Sequence, residues 1–283
     1  VSGAADRIRR DRARRAKTPD LIPPPAADTP RILLYDIETA PALVWVWNQW
    51  KTNVISTEHD WYMLGFAYRW LGQDATGFVS IFQDPSFTAD TTDDRLVADR
   101  LATLFDRADV TVAHNGDKFD RRKANARFLY WGIDPPSPYQ TVDTKKEAQR
   151  YFANYSNSLN ELGRLLGIGQ KREHSGFNLW RRCMAGDPEA WADMEGYTVQ
   201  DLDLLEGLYL RLLPWIGHPG QGQGVNVGLW TPGEEVCPKC GCRKLIRRGT
   251  HRTRFSEFQT FQCAECRGYS RARKRERGHA GLI

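Results

Sequence analysis

The stretch Arg31-Ile-Leu-Leu-Tyr-Asp-Ile-Glu-Thr39 decides how the chain is read. Four apolar or aromatic residues, Ile32 to Tyr35, run directly into two acids separated by one residue. Side chains alternate faces along a strand, so Asp36 and Glu38 share one face while Tyr35 and Ile37 share the other. A strand apolar enough to be buried does not ordinarily carry two acids on one side. Unshielded, they repel, and one tends to hold a proton. A divalent cation removes that conflict, and a hard ion such as Mg²⁺ takes carboxylate oxygens. A strand end with two solvated acids is the other reading, and this stretch alone leaves both open.

Outward from it, Trp61–Leu71 and Gly77–Phe82 read as two more strands joined by the turn Gly72-Gln-Asp74, a meander with the first. Directly after the opening strand, Ala40–Trp50 carries Trp45, Trp47 and Trp50. Trp45 and Trp47 share a face if the piece is extended, where they could stack on a nucleobase. Core or lid packing is the commoner fate of such residues and is the expectation here. Thr92–Ala108 has helical spacing at Leu96, Val97, Leu101, Leu104 and Phe105. Asp109–His114 is a short strand that turns at Asn115-Gly116 into a helix over 118–130, ended by Gly132. A strand end at Thr141–Thr144 precedes the capping-box pattern Thr144-Lys-Lys-Glu147, and Ser158-Leu-Asn-Glu161 repeats that pattern. Helical segments Asn178–Ala185 and Pro188–Leu213 close the domain, with Cys183 expected to be simply buried. The order β-β-β-α-β-α-β-α suggests an α/β domain, a mixed sheet flanked by helices.

The chain has 41% hydrophobic and 11% aromatic residues, enough for a core and against wholesale disorder. No apolar run approaches the ~20 residues of a membrane span. The Arg-rich beginning lacks an apolar signal region, so a cytoplasmic protein is expected. The composition suits a high-GC bacterium or its phage, and so a bacterial cell or phage-infected host. The net charge of +5 hides an asymmetry. Residues 1–20 carry +4 and residues 237–283 carry +10, leaving −9 for the rest. An acidic body with basic ends points to a carboxylate-rich centre and arms for a polyanion. Five of the six cysteines fall between 237 and 266, which reads as a metal site in a reducing compartment. The expected divisions are a basic, Pro-rich arm (1–30), the α/β domain (31–216), a Gly-rich linker (217–233), a cysteine module (234–270) and a basic tail (271–283).

Two further sites complete the opening pair. Asp120 ends His114-Asn-Gly-Asp-Lys-Phe-Asp120, and Asp201 follows Tyr197 by one helical turn, on the same face. Four carboxylates around two metals about 4 Å apart would clamp the attacking and leaving oxygens of a phosphodiester hydrolysis. Tyr197 would hold or help deprotonate the attacking water. With its Asp36-Ile-Glu38 strand, Asn115…Phe119-Asp120 segment and Tyr197-x-x-x-Asp201 pair, the chain resembles the DnaQ-like 3′–5′ exonucleases of the RNase H-like superfamily. Tyr four residues before the last Asp places the resemblance in the DEDDy branch; a DEDDh member would have His at position 196, which is Gly. The resemblance covers about residues 31–215 and implies a five-stranded RNase H-like sheet. It implies two Mg²⁺ or Mn²⁺ ions held by Asp36, Glu38, Asp120 and Asp201, with Tyr197 positioning the water. It also implies that Glu38 and Thr39 lie near the terminal 3′-hydroxyl and that nucleoside 5′-monophosphates are released.

One departure is that three residues separate Asn115 from Phe119, where many members have two, so Asp117 is the alternative to Asp120. Asp143 reads as local capping, and Asp203 and Glu206 as surface residues. Lys118, Arg121, Arg122 and Lys123 either contact the substrate backbone or form an exposed basic helix face. Lys171 and His174 lie in a loop from which they could reach phosphate. His114, Asn115 and Asn125 could suggest an HNH-type nuclease, which leaves Asp36, Glu38, Tyr197 and Asp201 unexplained.

The pairs Cys237-Pro-Lys-Cys240 and Cys263-Ala-Glu-Cys266, with 22 residues between, have the spacing of two knuckles closing a tetrahedral Zn²⁺ site. They resemble a zinc ribbon, whose metal would be structural because so small a unit cannot fold on apolar burial alone. Cys242 is the spare. Arg243, Lys244, Arg247, Arg248, Arg252 and Arg254 lie between the pairs, and Arg273 and Lys274 follow them; with Phe255, Phe258 and Phe261 they suggest a salt-sensitive grip on nucleic acid. A protein-binding ribbon is the other possibility. The whole reads as a metal-dependent 3′–5′ exonuclease acting on DNA, single-stranded or at a 3′ end, beside a replication or repair protein and away from membranes. An RNA-specific exonuclease akin to RNase D and a non-catalytic nucleic-acid-binding scaffold are the alternatives.

Overall fold

The computed structural model describes residues 21–26, 29–50, 52–88, 90–217 and 224–278. The arm over 1–20, the middle of the Gly-rich stretch at 218–223 and the end of the tail at 279–283 lie outside these. The expected first strand is β1, Ile32–Thr39. It is followed by a small hairpin, β2 (Leu43–Trp45) and β3 (Ser56–His59), and then by β4 (Met63–Trp70) and β5 (Thr76–Ser80). With β6 (Val110–Ala113) and β7 (Gln140–Asp143) the main sheet has the order β5-β4-β1-β6-β7. β1 runs antiparallel to β4 and parallel to β6, and β6 is parallel to β7. This is the mixed five-stranded sheet that the element order and the resemblance imply.

Among the described residues six helices cover it: α1 (Arg95–Arg107), α2 (Asp120–Trp131), α3 (Thr144–Tyr151), α4 (Leu159–Leu165), α5 (Phe177–Met184) and α6 (Pro188–Leu212). The alternation along β1 sorts the two cores. Leu33, Tyr35 and Ile37 pack with Leu101, Phe105 and Phe128 on one face; Ile32 and Leu34 pack with Val110, Leu205 and Leu208 on the other. Asp36 and Glu38 therefore continue the row of Ile32 and Leu34, at the strand's end. Helix α6 crosses between the cores, with Met194 and Tyr197 in the first and Leu202 to Leu212 in the second. Asp187 caps it, accepting from the Glu189 and Ala190 amides, with Pro188 in its first turn. Gly132 ends α2 at φ 64°, the left-handed conformation that a helix stop requires.

Several expectations are corrected. The three tryptophans do not pack: Trp45, Trp47 and Trp50 are 62%, 86% and 88% exposed, because the β2–β3 hairpin stands off both cores. The cap of α3 is Asp143, which accepts from the Lys145 and Lys146 amides, so the capping box placed at Thr144 begins one residue too late. Residues 21–26 are not a free arm. Leu21 is buried, the Ile22 amide donates to the Tyr68 hydroxyl at 2.9 Å, and the Trp70 indole donates to the Ile22 carbonyl at 3.0 Å. Nor is the whole of 217–233 a linker: Val227 is buried in the second core and its amide bonds the Pro238 carbonyl at 2.8 Å. Asp203 is on the surface as expected, whereas Glu206 is half-buried, and both pair with Arg69 of β4 at 2.6 Å.

The cysteine module forms β8 (Leu245–Arg252), β9 (Ser256–Cys263), β10 (Tyr269–Arg271) and β11 (Arg277–Gly278), with β9 central. Cys240 and Cys266 abut the second core, and the Lys239 ammonium donates to the Ile216 carbonyl just beyond α6.

Candidate active site

Three elements deliver the acids. β1 brings Asp36 and Glu38, and its register against β4 slips between Glu38 and Thr39, a bulge that bends the strand's end. The chain leaving β6 turns at Asn115, whose φ of 70° is one that Asn tolerates better than most residues. Gly116 passes so close to β6 that a Cβ there would lie 2.5 Å from that of Ala113. The turn is pinned by Asp143, whose carboxylate accepts the Asn115 amide at 2.9 Å and the Asp117 amide at 3.3 Å. Helix α2 then starts at Asp120, and the Asp120 carboxylate accepts the Ile37 amide at 3.1 Å, between the two acids of β1. Asp117 is held elsewhere, 2.6 Å from Lys146 and 3.4 Å from Arg121, so the longer spacing after Asn115 still leaves Asp120 beside β1. Helix α6 brings Tyr197 and Asp201.

Asp120 and Asp201 are buried, Asp36 and Glu38 partly so. Desolvation, then the neighbouring carboxylates Asp120, Glu38 and Asp201, push Asp36 well above the usual carboxylate range. Burial, and after it the like charge of Asp201, pushes Glu38 up to about 8 against the pull of Lys171. Burial likewise raises Asp120 to about 7. Asp201 is raised by burial against the pull of Lys171. The Lys171 ammonium donates to Asp201 and, at 2.9 Å, to the Tyr197 hydroxyl. Burial disfavours its charge, but Asp201 more than compensates and its pKa is raised. Tyr197 is pushed to about 12, chiefly by burial and then by Asp201, so it is a neutral phenol at ordinary pH.

The other Asp201 oxygen, Oδ1, is buried without a hydrogen-bond partner. An orphaned carboxylate oxygen is costly, and a cation would satisfy it. The donor set is all oxygen, as Mg²⁺ or Mn²⁺ prefers. The residues thus fit such an ion. Lys171 supplies positive charge among them.

Lys171, expected on a phosphate-facing loop, is instead part of the acid cluster. One neighbour was not foreseen: the Trp180 indole bonds Glu38. His174, expected like Lys171 to reach phosphate, is exposed and its ring meets the Tyr197 ring edge-on at 4.8 Å. Trp180 carries no sequence signal, because a lone Trp on a short helix has no diagnostic spacing. A cleft of about 490 Å³ opens beside Tyr197, lined among others by Arg172, His174, Arg182 and Asp193. Lys118 and Arg122 are exposed at the start of α2, whereas Arg121 is half-buried against Asp117. His114 is held by Thr144 and the Asn157 carbonyl, both at 2.9 Å, and burial lowers its pKa to about 4.

In the C-terminal module the ligand atoms of Cys237, Cys240, Cys263 and Cys266 lie within 4.8 Å of one another, a set that could hold a metal ion. Cys242 stands outside it, its sulfur accepting the Lys244 amide at 3.3 Å. Arg247, Arg248, Arg273 and Lys274 are all exposed. Among the described residues no helix is long and apolar enough to cross a membrane.

A model of the RNase H superfamily matches residues 52–213. The interval begins beyond β1, so Asp36 and Glu38 join the site through the sheet register rather than through that match. No curated protein matches the sequence. Among solved structures, a family B DNA polymerase from the hyperthermophilic archaeon Pyrobaculum calidifontis is similar with a TM-score of 0.48 and 16% identity, over 69% of this chain and 26% of that one. The chain thus spans about a quarter of that polymerase.

Proposed function

The chain belongs to the RNase H superfamily, and on that premise we propose that it is a metal-dependent 3′–5′ exonuclease of the DEDDy type that shortens DNA to nucleoside 5′-monophosphates. The observation that carries this is Asp120 bonded to the backbone between Asp36 and Glu38, with Asp201 coupled to the same group and one of its buried oxygens unpartnered. So much mutually repelling charge is costly for a purely structural site. Asp36, Glu38, Asp120 and Asp201 would hold two Mg²⁺ or Mn²⁺ ions, which supply charge to stabilise the attacking and leaving oxygens of the phosphodiester.

The side chains divide the remaining work. Tyr197, neutral because its pKa is near 12, orients the attacking water as a hydrogen-bond partner and does not abstract its proton. Lys171 fixes the phenol and its charge favours the ionised form of Asp201. Thr39, at the β1 bulge, would meet the 3′-terminal sugar beside Glu38. Lys118 and Arg122 offer exposed charge for the phosphates entering over α2. In the C-terminal module the four cysteines would bind one structural Zn²⁺, and the surrounding arginines would hold nucleic acid away from the site.

The test is direct. Purified protein with Mg²⁺ or Mn²⁺ is expected to release labelled mononucleotide from a 3′-labelled single strand, and Asp36→Ala is expected to abolish the release. Parallel DNA and RNA strands separate a DNA exonuclease from one akin to RNase D. If neither strand is degraded with either metal, the enzymatic reading fails. One observation favours a silent, nucleic-acid-binding scaffold instead: Lys171 already neutralises part of the acid cluster.

A further inference from the structure

The β2–β3 hairpin has no part in either core, yet it presents Leu43, Trp45, Trp47, Trp50, Val54 and Ile55 at 48–88% exposure. A lone two-stranded hairpin is marginal in water, and an apolar surface of this kind marks a binding face. Its place in the fold is specific. It is the excursion between the Glu38 end of β1 and the start of β4, closed at its root by the Ala40 amide donating to the Tyr62 carbonyl at 2.9 Å. Trp61, at that root, lies under the Lys123 ammonium at 3.6 Å, and Lys123 also lies over Phe119 at 5.7 Å. Phe119 is 38% exposed and immediately precedes Asp120. A tract of aromatic rings therefore leads from the acids to the foot of the hairpin.

The charge content indicates what this surface takes. Residues 41–60 include one Lys and two acids, so the hairpin has no excess of cations for phosphates. Three exposed indoles without a basic cluster suit the flat, uncharged faces of unpaired bases, while the phosphates are left to Lys118, just before α2, and to Arg122 and Lys123 on it. We propose that the β2–β3 hairpin is a stacking platform for the unpaired bases of a single strand whose 3′ end lies at the carboxylates. This rests on the nuclease reading for the direction of the strand, though not for its binding.

The test uses the full chain carrying Asp36→Ala, so that the strand is not consumed, and a labelled twelve-residue oligothymidylate. Adding Trp47→Ala and Trp50→Ala is expected to weaken binding roughly fivefold or more, because each lost stack counts. Trp47→Phe with Trp50→Phe should restore part of it. The dependence of binding on salt should keep its slope, since no cation is removed. An abasic strand with the same phosphates should bind the parent and the alanine variant equally. Unchanged affinity for the oligothymidylate overturns the proposal and leaves a protein partner as the occupant. An equal loss on the abasic strand also overturns it. Hydrolysis does not enter these measurements, so the two readings fail separately: a wild type that cleaves nothing sinks the nuclease alone, and tryptophan variants that bind normally sink the platform alone.

Discussion

Lys171 and Asp201 show how the site lives with its own charge. The pair is unequal, Asp201 being 1% exposed and Lys171 33%. Removing one partner of a fully buried pair costs about 3–5 kcal/mol; with Lys171 a third exposed, screening reduces the expected loss for Lys171→Met to about 1–2 kcal/mol. Thermal melts in chelator should show that loss, and Mn²⁺ should recover most of it, because an ion that binds only the folded state stabilises by mass action. An unchanged melting temperature in chelator would remove Lys171 from this role. The acids give a second expectation. Glu38 at about 8 and Asp120 at about 7 hold protons more tightly folded than unfolded. Between their unfolded values near 4 and these folded ones, the folded state binds more protons, so stability falls as pH rises. Metal-free protein should therefore melt progressively lower from about pH 4.5 to 8, and saturating Mn²⁺ should flatten that slope; a melt that rises over this range contradicts it. At this scale Asp36, Glu38, Tyr197 and Asp201 were legible because strand alternation and the helical turn give fixed spacings. Lys171 was misread as a phosphate contact because nothing in a loop sequence says which way it folds back.

Between elements, one tie is a buried carboxylate. Asp94, fully buried at the start of α1, accepts from Arg127 of α2 through two bonds of 2.6 Å, from the Trp131 indole at 2.6 Å and from the Met63 amide of β4 at 2.8 Å. One carboxylate thus joins α1, α2 and the central sheet. Asp94→Ala would leave the Arg127 guanidinium buried without its partner, a loss of about 3–5 kcal/mol. Denaturant melts should register it as a lower midpoint with little change of slope, and a midpoint within error of the parent would show that Arg127 finds another acceptor. Because α2 carries Asp120 at its first turn, the same change should also loosen the site. The meander, the helices and their stops were legible at this scale, since apolar period and the Gly132 stop are local signals. The β2–β3 hairpin was not, because three tryptophans within six residues ordinarily mean a core, and only tertiary placement reveals that they stand in solvent. Leu21 and Val227 were missed for the converse reason: single apolar residues in Pro-rich and Gly-rich stretches have no periodicity to announce burial.

For the whole molecule the charge asymmetry becomes spatial. The acids gather at the end of β1, while Arg247, Arg248, Arg273 and Lys274 stand exposed on a module docked at the far end of α6 through Lys239 and Val227. On the proposed function, a long strand bound at both places would be gripped by phosphate contacts on the module and by the acids at the sheet. The two differ in their response to salt. Each phosphate contact to a single strand contributes about 0.7 to the slope of log affinity against log salt, so replacing those four residues by Ala should lower the slope by roughly 3 if all four engage. The four positions are exposed and none is a cysteine or adjacent to one, so the variant should retain the cysteine site and the fold. Rates on a dinucleotide, too short to reach the module, should match the parent. Titration of a forty-residue strand across a range of salt measures the slope. A slope unchanged within error would mean that the module's basic surface faces something other than nucleic acid, and a protein-binding ribbon would then account for it better.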